Sequence, residues 1–179
     1  HDNSLKYYFN CINEDPNMDK AFFRLSMHFY RNNNFKKALE FIEKAIKLID
    51  QTVDQIEPDG LPNSKNIPLS TLHGNIWYHL GLAYYLKNDM NSALNAFNNR
   101  SVTHKFDDNI VSAGHWLYMI YRRLNRIEES ISVVNQVNQQ MDIIENMSYH
   151  QSCLFYKGVL EESELVVDEV ALYSLANWY

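Results

Sequence analysis

The sequence predicts an all-α protein, built as a solenoid of helix–turn–helix repeats. Three observations lead there. First, Phe22-x-x-Leu25-Ser26-x-x-Phe29, followed by Ala38, Ile42 and Ala45, is matched by Trp77-x-x-Leu80-Gly81-x-x-Tyr84, followed by Ala93 and Phe97. The steps agree: three, one and three residues, then nine to a small residue, then four to a large apolar one. Second, apolar residues recur at three- and four-residue steps along the chain, the period of helices with a buried face. Third, the small residues Ala38, Ala45 and Ala93 fall where paired helices must approach closely, with large residues around them.

The elements follow in order. Residues 1–16 read as the second half of a repeat, from Ser4, Tyr8, Cys11 and Pro16. A full repeat spans 19–50, with helices over about 20–30 and 36–49 and a turn at Asn32-Asn33-Asn34. An inserted loop covers 51–71. A second repeat spans 74–107, turning at Asn88-Asp89, with a second helix over about 91–99. Arg100 stands there where a small residue is expected, so that packing site is altered or the helix ends early. A third repeat spans 111–144, carried by Leu117, Tyr118, Tyr121, Ser130, Val134 and Val137; Tyr118 occupies the place held by Ser26 and Gly81 in the first two. A partial repeat covers 146–168, with a helix over Met147–Lys157, Ser152, Cys153 and Tyr156 at the signature places, and room for only a stunted second helix. Residues 169–179 read as the first helix of a further repeat, from Leu172, Leu175, Ala176 and Tyr179. Both ends therefore read as cut from a longer array, the other reading being an atypical natural terminus. Apolar faces at Tyr8 and at Leu172, Trp178 and Tyr179 predict end-to-end self-association.

Composition bounds the function. The chain has 179 residues, is 46% hydrophobic and 21% charged, and so has enough apolar surface to fold. A net charge of −6 argues against nucleic acid, which requires a basic face. No apolar run is long enough for a membrane span. The two cysteines, Cys11 and Cys153, form neither a disulfide framework nor a zinc spacing. No cofactor motif occurs. The chain opens on His1; a removed leader and a trimmed chain look alike in this respect, so the compartment is not legible.

About 21 residues, Gln51 to Thr71, separate the first two repeats and hold three of the four prolines. Pro58-Asp59-Gly60 is a turn signal, and Ser70 is a candidate cap for the helix that carries Trp77. The plain expectation is an ordered surface loop pinned by Leu61, Ile67 and Leu69. A long loop can also be functional. Calcium binding through Asp54, Glu57 and Asp59 lacks the required ligand spacing.

The repeated large/small signature resembles the tetratricopeptide repeat, a helix–turn–helix unit of 34 residues. The resemblance covers nearly the whole chain and implies a right-handed superhelix whose first helices line a concave groove. A narrower likeness, to a group of uncharacterised bacterial tetratricopeptide proteins, lies in Glu57-Pro58-Asp59-Gly60-x-Pro62-Asn63, Pro68-Leu69-Ser70-Thr71-Leu72-His73, Trp77 to Tyr84, His115 to Met119 and Asn177-Trp178-Tyr179. It implies a bacterial source and no particular activity. In the family, positions 2, 5, 9, 12 and 13 face the groove. That implies Lys20, Phe23, Met27, Tyr30 and Arg31 from the first repeat, and Asn75, Tyr78, Leu82, Tyr85 and Leu86 from the second. The third gives Ser112, His115, Met119, Arg122 and Arg123; the fourth gives Met147, His150, Leu154 and Lys157. The chaperone-type carboxylate clamp is absent, because Met27, Leu82, Met119 and Leu154 stand where it needs Asn.

Such a wall is rich in aromatic residues and Met, with Arg along one edge, and predicts a non-catalytic interaction module. Tyr78, Tyr85 and Met119 are expected to anchor a peptide or partner helix, and Arg122 and Arg123 to meet its carboxylates. The competing expectation is a scaffold segment whose groove is filled by its own insert. A metal-dependent enzyme using His79, His115 and His150 is a distant third, because ligands on three successive helices rarely converge. Cys153 beside His150 reads as a buried small residue rather than a thiol–imidazole pair.

Overall fold

The computed structural model of the chain describes residues 2–58, 61–101, 106–165 and 168–178, without the side chains of Asp2, Ser101, Asn177 and Trp178. The expected turn at Asp59 and Gly60, and the side chains of Trp178 and Tyr179, lie outside these residues. The elements are α1 (Asp2–Glu14), α2 (Asp19–Arg31), α3 (Phe35–Ile49), β1 (Ile56–Glu57), β2 (Ser70–Thr71), α4 (Leu72–Leu86), α5 (Met90–Ser101), α6 (Asp107–Arg123), α7 (Ile127–Val134), α8 (Met147–Tyr156) and α9 (Glu169–Trp178). A single 3-10 turn, Glu162–Glu164, lies between α8 and α9. The architecture is an α-helical repeat solenoid in which α2/α3, α4/α5 and α6/α7 pair as antiparallel hairpins.

What makes the repeats alike is how their first helices end. Asn33, Asn88, Asn125 and Gly158 all adopt left-handed backbone, with φ of 57°, 63°, 57° and 68°. Around each, the same two hydrogen bonds close the helix. Asn33 N–H donates to Tyr30 O and Asn34 N–H to Phe29 O; Asn88 and Asp89 repeat this on Tyr85 and Tyr84, Asn125 and Arg126 on Arg122 and Tyr121, Gly158 and Val159 on Phe155 and Leu154. This is the Schellman motif, and Asn and Gly are the residues that enter left-handed backbone most readily. Two of the second helices, α3 and α5, then start on side-chain caps: Asn34 Oδ1 accepts from Lys37 N–H, and Asp89 Oδ1 from Ser92 N–H.

Burial follows the repeat signature. Leu25, Ala38, Ile42 and Ala45 are sealed in the first hairpin. Gly81 lets the ring of Phe97 lie against its backbone; a Cβ at Gly81 would sit 2.6 Å from that ring. Helix α4 carries apolar residues around much of its circumference and packs against both α3 and α5. Arg100, in place of a small residue, is itself buried and donates to Asn109 Oδ1 of α6 at 2.6 Å. The packing site is altered, and α5 ends one residue later.

The insert departs from an all-α pattern. Ile56–Glu57 and Ser70–Thr71 form a short antiparallel ladder, Ile56 opposite Thr71. That ladder takes up Ser70, so the cap of α4 is Thr71, whose hydroxyl accepts from Gly74 N–H at 3.2 Å. The insert runs as a strap past the starts of the first helices. Thr52 donates to Asp19 of α2, Asp54 accepts from His73 N–H of α4, and Leu69 O accepts from Asn109 of α6. Asn63 donates to Glu145, and Lys65 pairs with Asp142, both just ahead of α8. Leu69 is buried, Ile67 half-buried and Leu61 exposed. Glu57 is fully buried, its carboxylate held by Lys20 at 2.6 Å and by Arg24. No helix among the described residues is long and apolar enough to cross a membrane.

Candidate functional site

Aligning the repeats on their left-handed turn residues puts Phe23, Tyr78, His115 and Ser148 at one equivalent place, and Arg24, His79, Trp116 and Tyr149 at the next. These two places build the wall formed by α2, α4, α6 and α8. Each second-place side chain meets the first-place side chain of the preceding helix. The rings of Phe23 and His79 are 5.7 Å apart, Trp116 Nε1–H donates to the Tyr78 hydroxyl at 3.3 Å, and the rings of His115 and Tyr149 are 4.9 Å apart. The hydroxyls of Tyr78 and Tyr149 are 2.9 Å apart. Burial and this contact push the Tyr78 phenol well above its ordinary range.

Along the wall the expected groove residues divide by access. Phe23, Tyr85, His115, Met119 and His150 are buried; Met27, Tyr30, Asn75, Tyr78 and Leu82 are half-buried; Arg31, Arg122 and Arg123 are exposed. A side chain without exposed surface supports a wall and is not itself touched by a bound chain. Tyr85 is closed over by Arg123, whose guanidinium lies 5.0 Å from the ring centre and donates to Asn88 Oδ1 at 2.7 Å. Tyr173 of α9 reaches in beside it, 6.5 Å from Tyr85 and 6.1 Å from Trp116. Burial and the Tyr173 contact raise the Tyr85 phenol to about 12.

The fourth helix differs from expectation by two residues. Its turn residue is Gly158, which places Ser148 where Phe23, Tyr78 and His115 stand. His150 is therefore not at a groove position; its Nε2–H donates to Asn138 O at 2.8 Å. The reason is a shift of the apolar pattern where the preceding hairpin is cut short. The wall residues that the sequence reading passed over are Trp116, Tyr149 and Tyr173. Their signal was present: each of the first two directly follows a groove position once the turns, rather than the apolar residues, set the register.

The histidines go separate ways. His79 packs on Phe23 and Tyr78, and His150 bonds to the loop after α7. His115 lies 3.1 Å through Nδ1 from the Tyr156 hydroxyl, with its pKa lowered by burial to about 3. No group of three His, Cys, Asp or Glu side chains that could hold a metal ion occurs among the described residues. Cys153 is fully buried against Val111 O, and burial raises its thiol pKa, which keeps it protonated and unreactive.

Two cavities flank the wall at its amino-terminal half. One, of about 430 Å³, is lined by Ser4, Tyr8, Arg24, Met27, His28, Arg31 and Asn32. The other, of about 290 Å³, is lined by Tyr30, Phe35, Ala38, Ala83, Leu86 and Lys87. The first is polar and basic, the second apolar.

The tetratricopeptide repeat profile matches residues 19–52 and 74–99. No curated protein matches the chain by sequence. Among solved structures, a crystal structure of MamA superposes with a TM-score of 0.52 at 12% identity, over 97% of this chain and 83% of that one. A crystal structure of YrrB, described as a TPR protein with an unusual peptide-binding site, gives 0.53 at 15% identity, over 95% of this chain and 72% of that one. At these identities the likeness is one of fold.

Proposed function

We propose that this chain, whose residues 19–52 and 74–99 match the tetratricopeptide repeat, is a protein-interaction scaffold that binds a peptide or partner helix along the wall of its first helices, without catalysis. The observation that carries the reading is the division of that wall. Buried Phe23, Tyr85, His115 and Met119 hold it rigid, while Met27, Tyr30, Leu82 and Tyr78 keep apolar surface open and Arg31, Arg122 and Arg123 stand exposed beside it. Rigid support lowers the ordering cost of binding. Adaptable Met and Leu side chains supply contact area, and exposed guanidinium groups steer an acidic partner. The peptide-binding site named for YrrB is in keeping with this use of the fold.

Binding is assigned to the open amino-terminal part of the wall, because Tyr149 and Tyr173 pack into its other end. The opposing reading, a groove filled by the insert, has its own support: Glu57 of the insert sits on Lys20 and Arg24 of α2. The test is selection of peptides from a displayed library, followed by affinity measurements on variants. Leu82→Ala is expected to cost about 1–2 kcal/mol at any salt concentration. Joint replacement of Arg122 and Arg123 by Ser should slow association at low salt and change little at high salt. Selected peptides whose affinity is untouched by both changes would move the binding face elsewhere.

A further inference from the structure

The apolar cavity between the first two repeats has a counterpart one repeat further on, and the two differ in a telling way. In the register set by Asn33, Asn88 and Asn125, the lining residues Tyr30, Phe35, Ala38, Ala83 and Lys87 correspond to Tyr85, Met90, Ala93, Ile120 and Leu124. At the second junction these residues belong to one continuous core, with Tyr85 2%, Met90 7%, Ala93 0% and Ile120 0% exposed. At the first junction Phe35 is 48% and Leu86 59% exposed, and a space of about 290 Å³ stays open. Three positions on the later helix differ: Arg123 stands for Leu86, Leu124 for Lys87, and Ile120 supplies a branched four-carbon side chain where Ala83 supplies a methyl group. In the second junction the place of Ala83 is thus taken by a fully buried aliphatic side chain within the same core as Tyr85 and Ala93. Interiors are close-packed, so an unfilled apolar space between two repeats is a departure, and the small Ala83 contributes to it.

We infer that the cavity formed by Tyr30, Phe35, Ala38, Ala83 and Leu86 receives one large apolar side chain of a bound peptide, with a carboxylate of that peptide beside it on Lys87. This rests on the groove reading above, since Tyr30 and Leu86 belong to both the wall and the cavity. Charge decides the second part: Lys87 is the one charged residue among the lining residues, exposed at the mouth. An apolar side chain next to an acidic group is complementary to that pair of features, and an uncharged or basic neighbour is not.

The probe is N-acetylleucine, with N-acetylleucinamide and N-acetylglycine as controls, followed through the methyl resonances of Ala38, Ala83 and Leu86. N-Acetylleucine should shift these resonances saturably, the amide more weakly, and N-acetylglycine not at all. Ala83→Ile, which copies the second junction, should weaken N-acetylleucine by on the order of tenfold or more. Lys87→Gln, at an exposed site that the fold does not depend on, should abolish the advantage of the acid over the amide and leave the amide unchanged. Absence of saturable shifts, or wild-type affinity in a folded Ala83→Ile protein, overturns the proposal. A selected peptide that loses affinity on Leu82→Ala but keeps it on Ala83→Ile overturns the cavity assignment while leaving the groove reading standing.

Discussion

In the first half of the chain α3 runs 15 residues and α5 runs 12, whereas in the second half α7 stops after 8 and a 3-10 turn of three residues stands between α8 and α9. Both halves bury the same signature places. Ala38, Ile42 and Ala45 are sealed along α3; Ser130, Val134 and Val137 are each 0% exposed, although the helix has ended at Val134. The difference lies in the backbone. Beyond Val134 the carbonyls of Asn135 and Val137 accept from Lys157 Nζ, and that of Asn138 from His150, so side chains of α8 and of the residue that caps its end replace the missing helical donors. On the other side, the N–H groups of Ile144, Glu145 and Asn146 all donate to the carboxylate of Asp108, at 2.9, 2.8 and 2.7 Å. A helix is thus one way of satisfying buried backbone, and a loop with built-in side-chain partners is another.

The largest effect is expected from removing that carboxylate. Asp108 is 0% exposed and serves three donors at once. Asp108→Ala leaves them without an acceptor, and each buried orphan costs about 1–3 kcal/mol, so a loss of about 3–5 kcal/mol in urea denaturation is expected. Amide exchange sharpens the comparison. Residues 144–156 should lose protection while α2 and α3 keep theirs. Uniform loss along the chain would mean that the two halves do not open independently.

Acid should also act first on the second half. His115 is held neutral there, its pKa lowered from 6.5 to about 3 by burial. Between those values the unfolded chain binds a proton that the folded chain refuses. Stability is therefore complete above about pH 6.5 and declines as pH falls through that window, by about 1.4 kcal/mol per unit. Acidification to about pH 5 should cost roughly 2 kcal/mol from this group alone. His115→Gln should flatten the profile above pH 5. An equally steep profile in that variant would place the acid sensitivity elsewhere.

How much of this was legible in the sequence depends on what kind of force sets each feature. The repeats were legible, because burial writes a pattern: Phe22, Leu25, Ile42 and Ile76 are all covered. The end of α7 was not, because it turns on Lys157 and His150, distant in sequence from the carbonyls they serve. The two-residue shift of α8 was hidden for a related reason: Ser152, Cys153 and Tyr156 imitate the apolar signature, whereas Gly158 marks the actual turn. The groove positions of the first three helices could be named from resemblance, but not their access. Tyr30 and Tyr85 occupy the same repeat position, one half-buried and the other sealed by Arg123. The strap was invisible as structure, since its contacts with Asp142 and Glu145 cross two repeats.

That strap gives the smallest expected effect, and the one that most sharply separates contact from contribution. Lys65 joins the two halves through Asp142, yet their side chains are 47% and 68% exposed. Charges so well hydrated gain little by pairing, and holding two flexible side chains together carries an entropy cost. The strap is fixed instead where it is buried, at Leu69 and Glu57. Lys65→Ala should therefore change stability by no more than about 0.5 kcal/mol, and by less at high salt, where screening removes what attraction there is. Urea titrations at two salt concentrations read this directly. A loss well above that value, persisting in high salt, would mean that the ion pair fixes the relative placement of the two halves, and the strap would then rank with Asp108 as a determinant of the fold rather than as its trim.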